Sequence, residues 1–299
     1  MSQSVPVAVP RKGRPLEAVF ERLATITDVE ALADSVVSTL RYEKAVTKGD
    51  QTADRDLYDR LAAYSETAAA SAAEYTLLRD DRDGYPRRIV FDSATVSIDD
   101  YDLQLIGREE PFRSLRTHEF ALGFDSADLV LEEVVELRPA GLGSIDEINA
   151  RIDPKDTDVA VVTGLGDTVY HTLMATPEVL GEGDTLDRAF VDGHDGPLCI
   201  SPRYERLVEA VLGTDATDGI EFVYPADDIE EEAAIADTGL GVYLTVTGST
   251  ARDHGLVLGE HLFPSETVLM ENTAETGSAA ERLKDLLTDP AIETELRVD

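Results

Sequence analysis

The chain has 299 residues, 61 of them acidic and 26 basic, for a formal charge of −35 at pH 7. Such a charge repels nucleic-acid phosphates and anionic membrane surfaces, which excludes both as partners. A hydrophobic content of 42% is too rich for disorder, and the length allows two lobes, each with a core.

The single cysteine, Cys199, rules out an intrachain disulfide and a cysteine-rich zinc site. The acid is spread through the chain rather than gathered in a tail, as on proteins of a high-salt cytoplasm, where salt screens self-repulsion. No apolar run reaches membrane-spanning length, and the basic residues of MSQSVPVAVPRKGR follow its short apolar stretch instead of preceding it. A cytoplasmic protein is expected.

The first predicted element is a strand, VPVAVP, after which Arg11, Lys12 and Arg14 surround Gly13 at a strand-to-helix turn. Leu16, Val19, Phe20 and Leu23 then recur at i, i+3, i+4 and i+7 behind Pro15, predicting an amphipathic helix. Val29, Leu32, Val36 and Leu40 predict a second helix, and Leu57, Leu61 and Tyr64 lead an Ala-rich third that ends near Tyr75. Beyond RDDRDGYPRR, β-rich stretches at 89–91, 95–98, 101–106 and 119–124 predict an antiparallel meander. From residue 134 a βαβ unit is predicted: strand VVELRPA, helix SIDEINARI and strand DVAVVTG, followed by the turn GLGD with Asp167 capping a helix TVYHTLMA. GEGDT reads as a linker. A strand at LCI, a helix opened by Ser201 and Pro202, strands at IEFVY and LTVTGST, then strand ETVLMEN and helix AAERLKDLL complete the chain.

The most specific chemistry lies in LTVTGSTARDHGL, where a β-prone run breaks at Gly248 and hydroxyl residues lead into a short helix. Backbone amides at such a turn converge on one point and suit a phosphate, with Thr247, Ser249 and Thr250 adding hydroxyl donors. Lys12, Gly13 and Arg14 form a second basic turn of the same kind. Two anion sites imply a small phosphorylated substrate. Simpler roles fit other residues: Glu230, Glu231 and Glu232 as a solvated helix start, and Cys199 as a buried small hydrophobe. His118, His171, His194, His254 and His261 show no metal-ligand spacing, with His171 and His254 expected on helices, so no protein metal site is expected.

VAVPRKGRPLEAVFERL and VTGSTARDHGL together resemble the start and the phosphoribosyl pyrophosphate (PRPP) loop of ATP phosphoribosyltransferase. Fainter similarity runs through VELRPAGLGSIDEINARIDPKDTDVAVVTGLGD, PLCISPRYERLVEAVLG and VYPADDIEEEAAIAD, so that about half of the chain is covered. The resemblance implies an α/β, two-lobed fold like a type II periplasmic binding protein, with PRPP and nucleotide in the interlobe cleft. Lobe I would span 1–180, with a helical and β-meander insertion at about 42–130. Lobe II, with the phosphate loop, would span 186–260, and residues 261–299 would return to lobe I. By position, Thr247, Gly248, Ser249 and Thr250 would hold PRPP phosphate. Lys12 and Arg14 would face the cleft with Gly13 between them, Arg138 would join them, and Mg2+ would arrive with PRPP. A homo-oligomer is possible. Where the family carries an aspartate four residues before the loop threonine, this chain has Tyr243. The implied activity is phosphoribosyl transfer to a purine base or nucleotide, and Tyr243→Asp would raise it. The alternative is a non-catalytic PRPP or nucleotide sensor, or a regulatory subunit, of the same fold.

Overall fold

The computed structural model describes residues 2–65, 73–79, 87–138, 142–181, 183–226 and 229–288. The chain divides into two units: Met1–Asp125, Thr157–Leu165 and Thr267–Glu293 form one, and Ser126–Asp156, Gly166–Glu266 and Thr294–Asp299 the other. Ser126–Asp156 and residues 166–180, expected in the first lobe, therefore cluster with the second. The described strands are β1 (Gln3–Pro10), β2 (Glu74–Arg79), β3 (Arg87–Ile98), β4 (Tyr101–Arg108), β5 (Leu122–Ser126), β6 (Val159–Gly164), β7 (Val169–Ala175), β8 (Gly196–Cys199), β9 (Ile220–Val223), β10 (Leu240–Thr245), β11 (Val257–Ser265) and β12 (Thr267–Asn272).

The first unit's sheet runs β2-β3-β4-β1-β5-β12-β6. Val5, Val7, Ala8 and Val9 of β1 are all buried, the near-continuous apolar run of a strand covered on both faces. It pairs in parallel with β4, Val5 opposite Leu103, and with β5, Val7 opposite Leu122. Helix Arg14–Ile26 buries Leu16, Val19, Phe20 and Leu23 as its periodicity predicts, and Phe20 meets Phe91 edge-on at 5.6 Å. Arg22, buried at 8% exposure, donates from Nε and Nη2 to the Leu287 carbonyl, satisfying an acceptor at the end of helix Ser278–Leu287.

β3 and β4 pair antiparallel, as expected, and β2, which was not among the expected strands, pairs antiparallel with β3. β3 is one continuous strand where two were expected, and β5 leaves the meander to flank β1. Residues 101–108 and 122–126 thus lie at the centre of the sheet. β2 and β3 extend that sheet beyond β4, with helix Leu57–Ser65 against them. The third helix does not reach Tyr75, which lies on β2 against Tyr64; the intervening residues 66–72 are outside the described part. Glu43, 3% exposed, is held by Arg60 Nε and Nη2 at 2.8 and 2.9 Å and by the Tyr64 hydroxyl at 2.9 Å.

The second unit's sheet runs β11-β7-β10-β8-β9, with β10, β8 and β9 parallel and β7 antiparallel to both β10 and β11. The predicted helix TVYHTLMA is the strand β7, so Asp167 caps no helix there and His171 lies on a strand. A short apolar run bounded by glycine fits either period, and here two cross-strand partners decide it. VVELRPA forms only an isolated bridge, Val135 to Ile152, with residues 139–141 outside the described part. Among the described residues the expected βαβ unit does not form, because VVELRPA supplies no sheet strand and DVAVVTG, as β6, pairs antiparallel with β12 in the first sheet, while β7 enters the second. β11, missed in the sequence, is broken by register shifts at Leu258, His261 and Phe263 that spoil its alternation.

Both sheets repeat one plan. Three strands lie in the order second, first, third (β4-β1-β5 and β9-β8-β10); then comes a strand from a distant part of the chain (β12, β7), antiparallel to the last one (β6, β11). This is the α/β, type II periplasmic-binding-protein-like fold that the resemblance implied.

Candidate functional site

In open α/β sheets, ligands bind outside the carboxyl ends of the strands, where the strand order reverses. In the first sheet the chain goes from β1 to β4 on one side and β5 on the other, and in the second from β8 to β9 and then to β10. The turns after β1 and β10 lie at these two points. They are the two turns singled out in the sequence.

After β1, Lys12 and Gly13 are exposed and Arg14 is half-buried. Gly13 caps helix Arg14–Ile26 at φ 82°, in the left-handed region where glycine alone is unstrained, and as a glycine it offers no side chain to the helix's first amides. Arg11 is a brace, donating to the Asp92 carboxylate at 3.1 Å while its carbonyl accepts from the Phe91 amide at 3.0 Å. Its charge is thereby compensated.

After β10, Gly248 adopts φ 68°, ψ 16° and opens the one-turn helix Ser249–Asp253. The positive φ calls for glycine, and a Cβ there would stand 2.2 Å from Leu258 Cδ1, so any side chain would also have to displace the end of Leu258. Thr247, Ser249 and Thr250 are exposed. The Thr247 and Ser249 hydroxyls meet at 3.0 Å, and Thr247 Oγ1 also accepts from the Ser249 amide at 3.4 Å. Arg252, which sequence reasoning passed over, donates from Nη2 to the Thr247 carbonyl at 2.8 Å. Its five-residue separation from Thr247 gave no signal; one helical turn brings it back.

Arg138 lies exposed on a different stretch of the second unit and pairs with Glu136. Lys12, Gly13 and Arg14 are thus gathered on one turn and Thr247–Thr250 on another, while Arg138 stands on neither.

Tyr243, on β10 opposite Thr172, is half-buried and lies near the Glu231 and Glu232 carboxylates. Burial first, then the charges of Glu231 and Glu232, push its phenol well above the ordinary value. Glu231 and Glu232, at the start of helix Glu231–Thr238, are half-buried rather than fully solvated. An aspartate at 243 would face these carboxylates. Tyr243→Asp is therefore expected to destabilise the unit rather than restore chemistry.

Unfolded phenol loses its proton near pH 10 while folded Tyr243 keeps it, so this residue makes stability fall as pH rises above about 10. A 295 nm titration should show one fewer late-ionising group in Tyr243→Phe than in the parent; an identical curve would contradict this environment.

Sequence reasoning also missed a buried pair in the second unit: His171 Nε2 lies 2.9 Å from Asp128 Oδ2, both 2% exposed, with the imidazole stacked on Phe263. Cys199 is buried beside Met174, Ile235 and Leu256, as expected. Among the described residues, no three His, Cys, Asp or Glu side chains form a group that could hold a metal ion. No helix among them is long and apolar enough to cross a membrane.

Residues 1–298 match the sequence model of the halobacterial ATP phosphoribosyltransferase family. The chain belongs to that family. The match takes in both turns, and the acid excess is in keeping with a halobacterial family. No curated protein sequence matches significantly. Among solved structures, an ATP phosphoribosyl transferase (HisG:HisZ) complex from Thermotoga maritima is similar at 13% identity and TM-score 0.44, covering 95% of this chain and 94% of that one. YhfZ from Shigella flexneri is similar at 10% identity and TM-score 0.47, covering 96% and 85%. The regulatory domain of a LysR family regulator from N. meningitidis follows at 9% identity and TM-score 0.37, covering 95% and 92%. At such scores none of the three supports a conclusion about this chain.

Proposed function

We propose that the protein binds PRPP and transfers its phosphoribosyl group to a purine nucleotide in the cytoplasm. The observation that carries this reading is the turn Thr247–Thr250, whose buried left-handed glycine and exposed hydroxyls stand at the strand-order reversal of a chain matched to the family from end to end. In the proposed reaction a ring nitrogen of the base attacks C1 of the ribose. The bond from C1 to the pyrophosphate oxygen breaks, and pyrophosphate leaves with the electron pair. Amides and hydroxyls of the Thr247–Thr250 turn would hold phosphate, and Lys12, Arg14 and Arg138 are the further candidates for anion contact, with Gly13 admitting close backbone approach. Such groups act by positioning and by stabilising charge on the leaving group. Mg2+ in this reading comes with the pyrophosphate, since it is commonly held by substrate phosphates and one or two carboxylates rather than by an all-protein cage. An assembly of like or unlike chains is compatible with it.

A second reading, a PRPP or nucleotide sensor that has lost the chemistry, is favoured by one observation: Tyr243 is kept neutral and offers no negative charge to a metal or to the ribose. One experiment separates the two. PRPP with Mg2+ in molar KCl should raise the melting temperature, by about 2.7 kcal/mol of stabilisation at a hundredfold excess over Kd. Pyrophosphate release with ATP added then marks the enzyme, and PRPP binding without release marks the sensor. Failure to bind PRPP would eliminate both.

A further inference from the structure

Arg252 lies in the last turn of helix Ser249–Asp253, where its amide donates to the Gly248 carbonyl at 3.1 Å and its side chain folds back over the turn. Nη2 is bonded to the Thr247 carbonyl, and Nη1 lies 3.3 Å from the point where a Cβ on Gly248 would stand. The guanidinium thus rests on the glycine, beside the Thr247 and Ser249 hydroxyls. Several other arginines of this acidic chain are neutralised, Arg11 by Asp92, Arg188 by Glu260 and Arg206 by Glu132, whereas Arg203 and Arg282 are, like Arg252, in no ion pair among the described residues. Glu230, on the neighbouring helix start, lies 3.7 Å from His254 instead.

A guanidinium carries five N–H donors in a planar fork that matches phosphate oxygens in pairs. The bond to Thr247 leaves most of that fork, and all of the charge, uncompensated at the turn. We infer that Arg252 is the cationic binding residue of the Thr247–Thr250 turn, gripping a phosphate or pyrophosphate group of the ligand while bracing the loop. This rests on the PRPP reading above and adds the residue that supplies charge where amides and hydroxyls alone would meet a polyanion.

Arg252→Gln separates grip from brace, because a glutamine amide can still donate to the Thr247 carbonyl but carries no charge. Kd values for inorganic pyrophosphate and for PRPP are measured by calorimetry at fixed KCl, with melting temperature as the control for folding. Arg252→Gln should melt with the parent and weaken both ligands about ten- to hundredfold, the loss expected for a charge-assisted hydrogen bond. Arg252→Lys, which keeps the charge without the fork, should lie between. If Arg252→Gln binds both as tightly as the parent, the residue is a brace only and this inference falls while the PRPP reading stands. If the parent binds neither, the PRPP reading itself falls. Should Arg252→Gln melt early, both Kd values are read well below its melting transition: weaker binding there supports the grip, and parental binding overturns it.

Discussion

Raising KCl from 0.1 to 1 M is expected to raise the melting temperature by about 10 °C or more, since about 1 kcal/mol shifts it by about 2–4 °C in domains of 150–250 residues. With 61 acidic and 26 basic residues, carboxylates have mostly other carboxylates for neighbours. Over that range the Debye length falls from about 10 Å to about 3 Å, which screens this repulsion. Salt also weakens the exposed pairs, such as Arg41 with Glu17 and Arg113 with Glu110, but pairs of that kind contribute only about 0–1 kcal/mol each. Repulsion therefore dominates the balance. A melting temperature that stays flat or falls between the two KCl concentrations would contradict the high-salt reading.

Replacing Gly248 by valine should abolish PRPP and pyrophosphate binding and weaken the second unit. A β-branched residue at φ 68° carries strain of about 1–3 kcal/mol. A Cβ only 2.2 Å from Leu258 Cδ1 adds an overpacking cost of about 1–3 kcal/mol. Since Leu258 packs on the cluster of Met174, Cys199, Ile235, Ala251 and Leu256, the damage would spread beyond the turn. Thr247→Val separates binding from folding: it removes an exposed hydroxyl and leaves Gly248 untouched, so it should melt with the parent and bind pyrophosphate more weakly. A Gly248→Val protein that folds and binds as the parent does would show that the turn is not the phosphate site.

The amino-acid sequence by itself determined the elements whose signals are local. Helix Arg14–Ile26 was legible because Leu16, Val19, Phe20 and Leu23 repeat at the helical period behind Pro15. The two turns were legible because a strand that breaks at glycine into polar residues leaves few other conformations for Gly13 and Gly248. Composition fixed the charge and with it the expected salt dependence. Pairing was decided only by the tertiary structure. Residues 169–175 satisfy the helical and strand periods alike until β10 and β11 flank them. Residues 101–106 and 119–124 look like meander strands until β1 takes its place between β4 and β5. The chemistry of Tyr243 and Arg252 was hidden for the same reason. Glu231, whose charge acts on the phenol, sits twelve positions before it, and the Arg252 guanidinium reaches Thr247 only once a turn of helix has folded it back. Contacts between residues distant in sequence depend on which surfaces meet, and no local pattern records that.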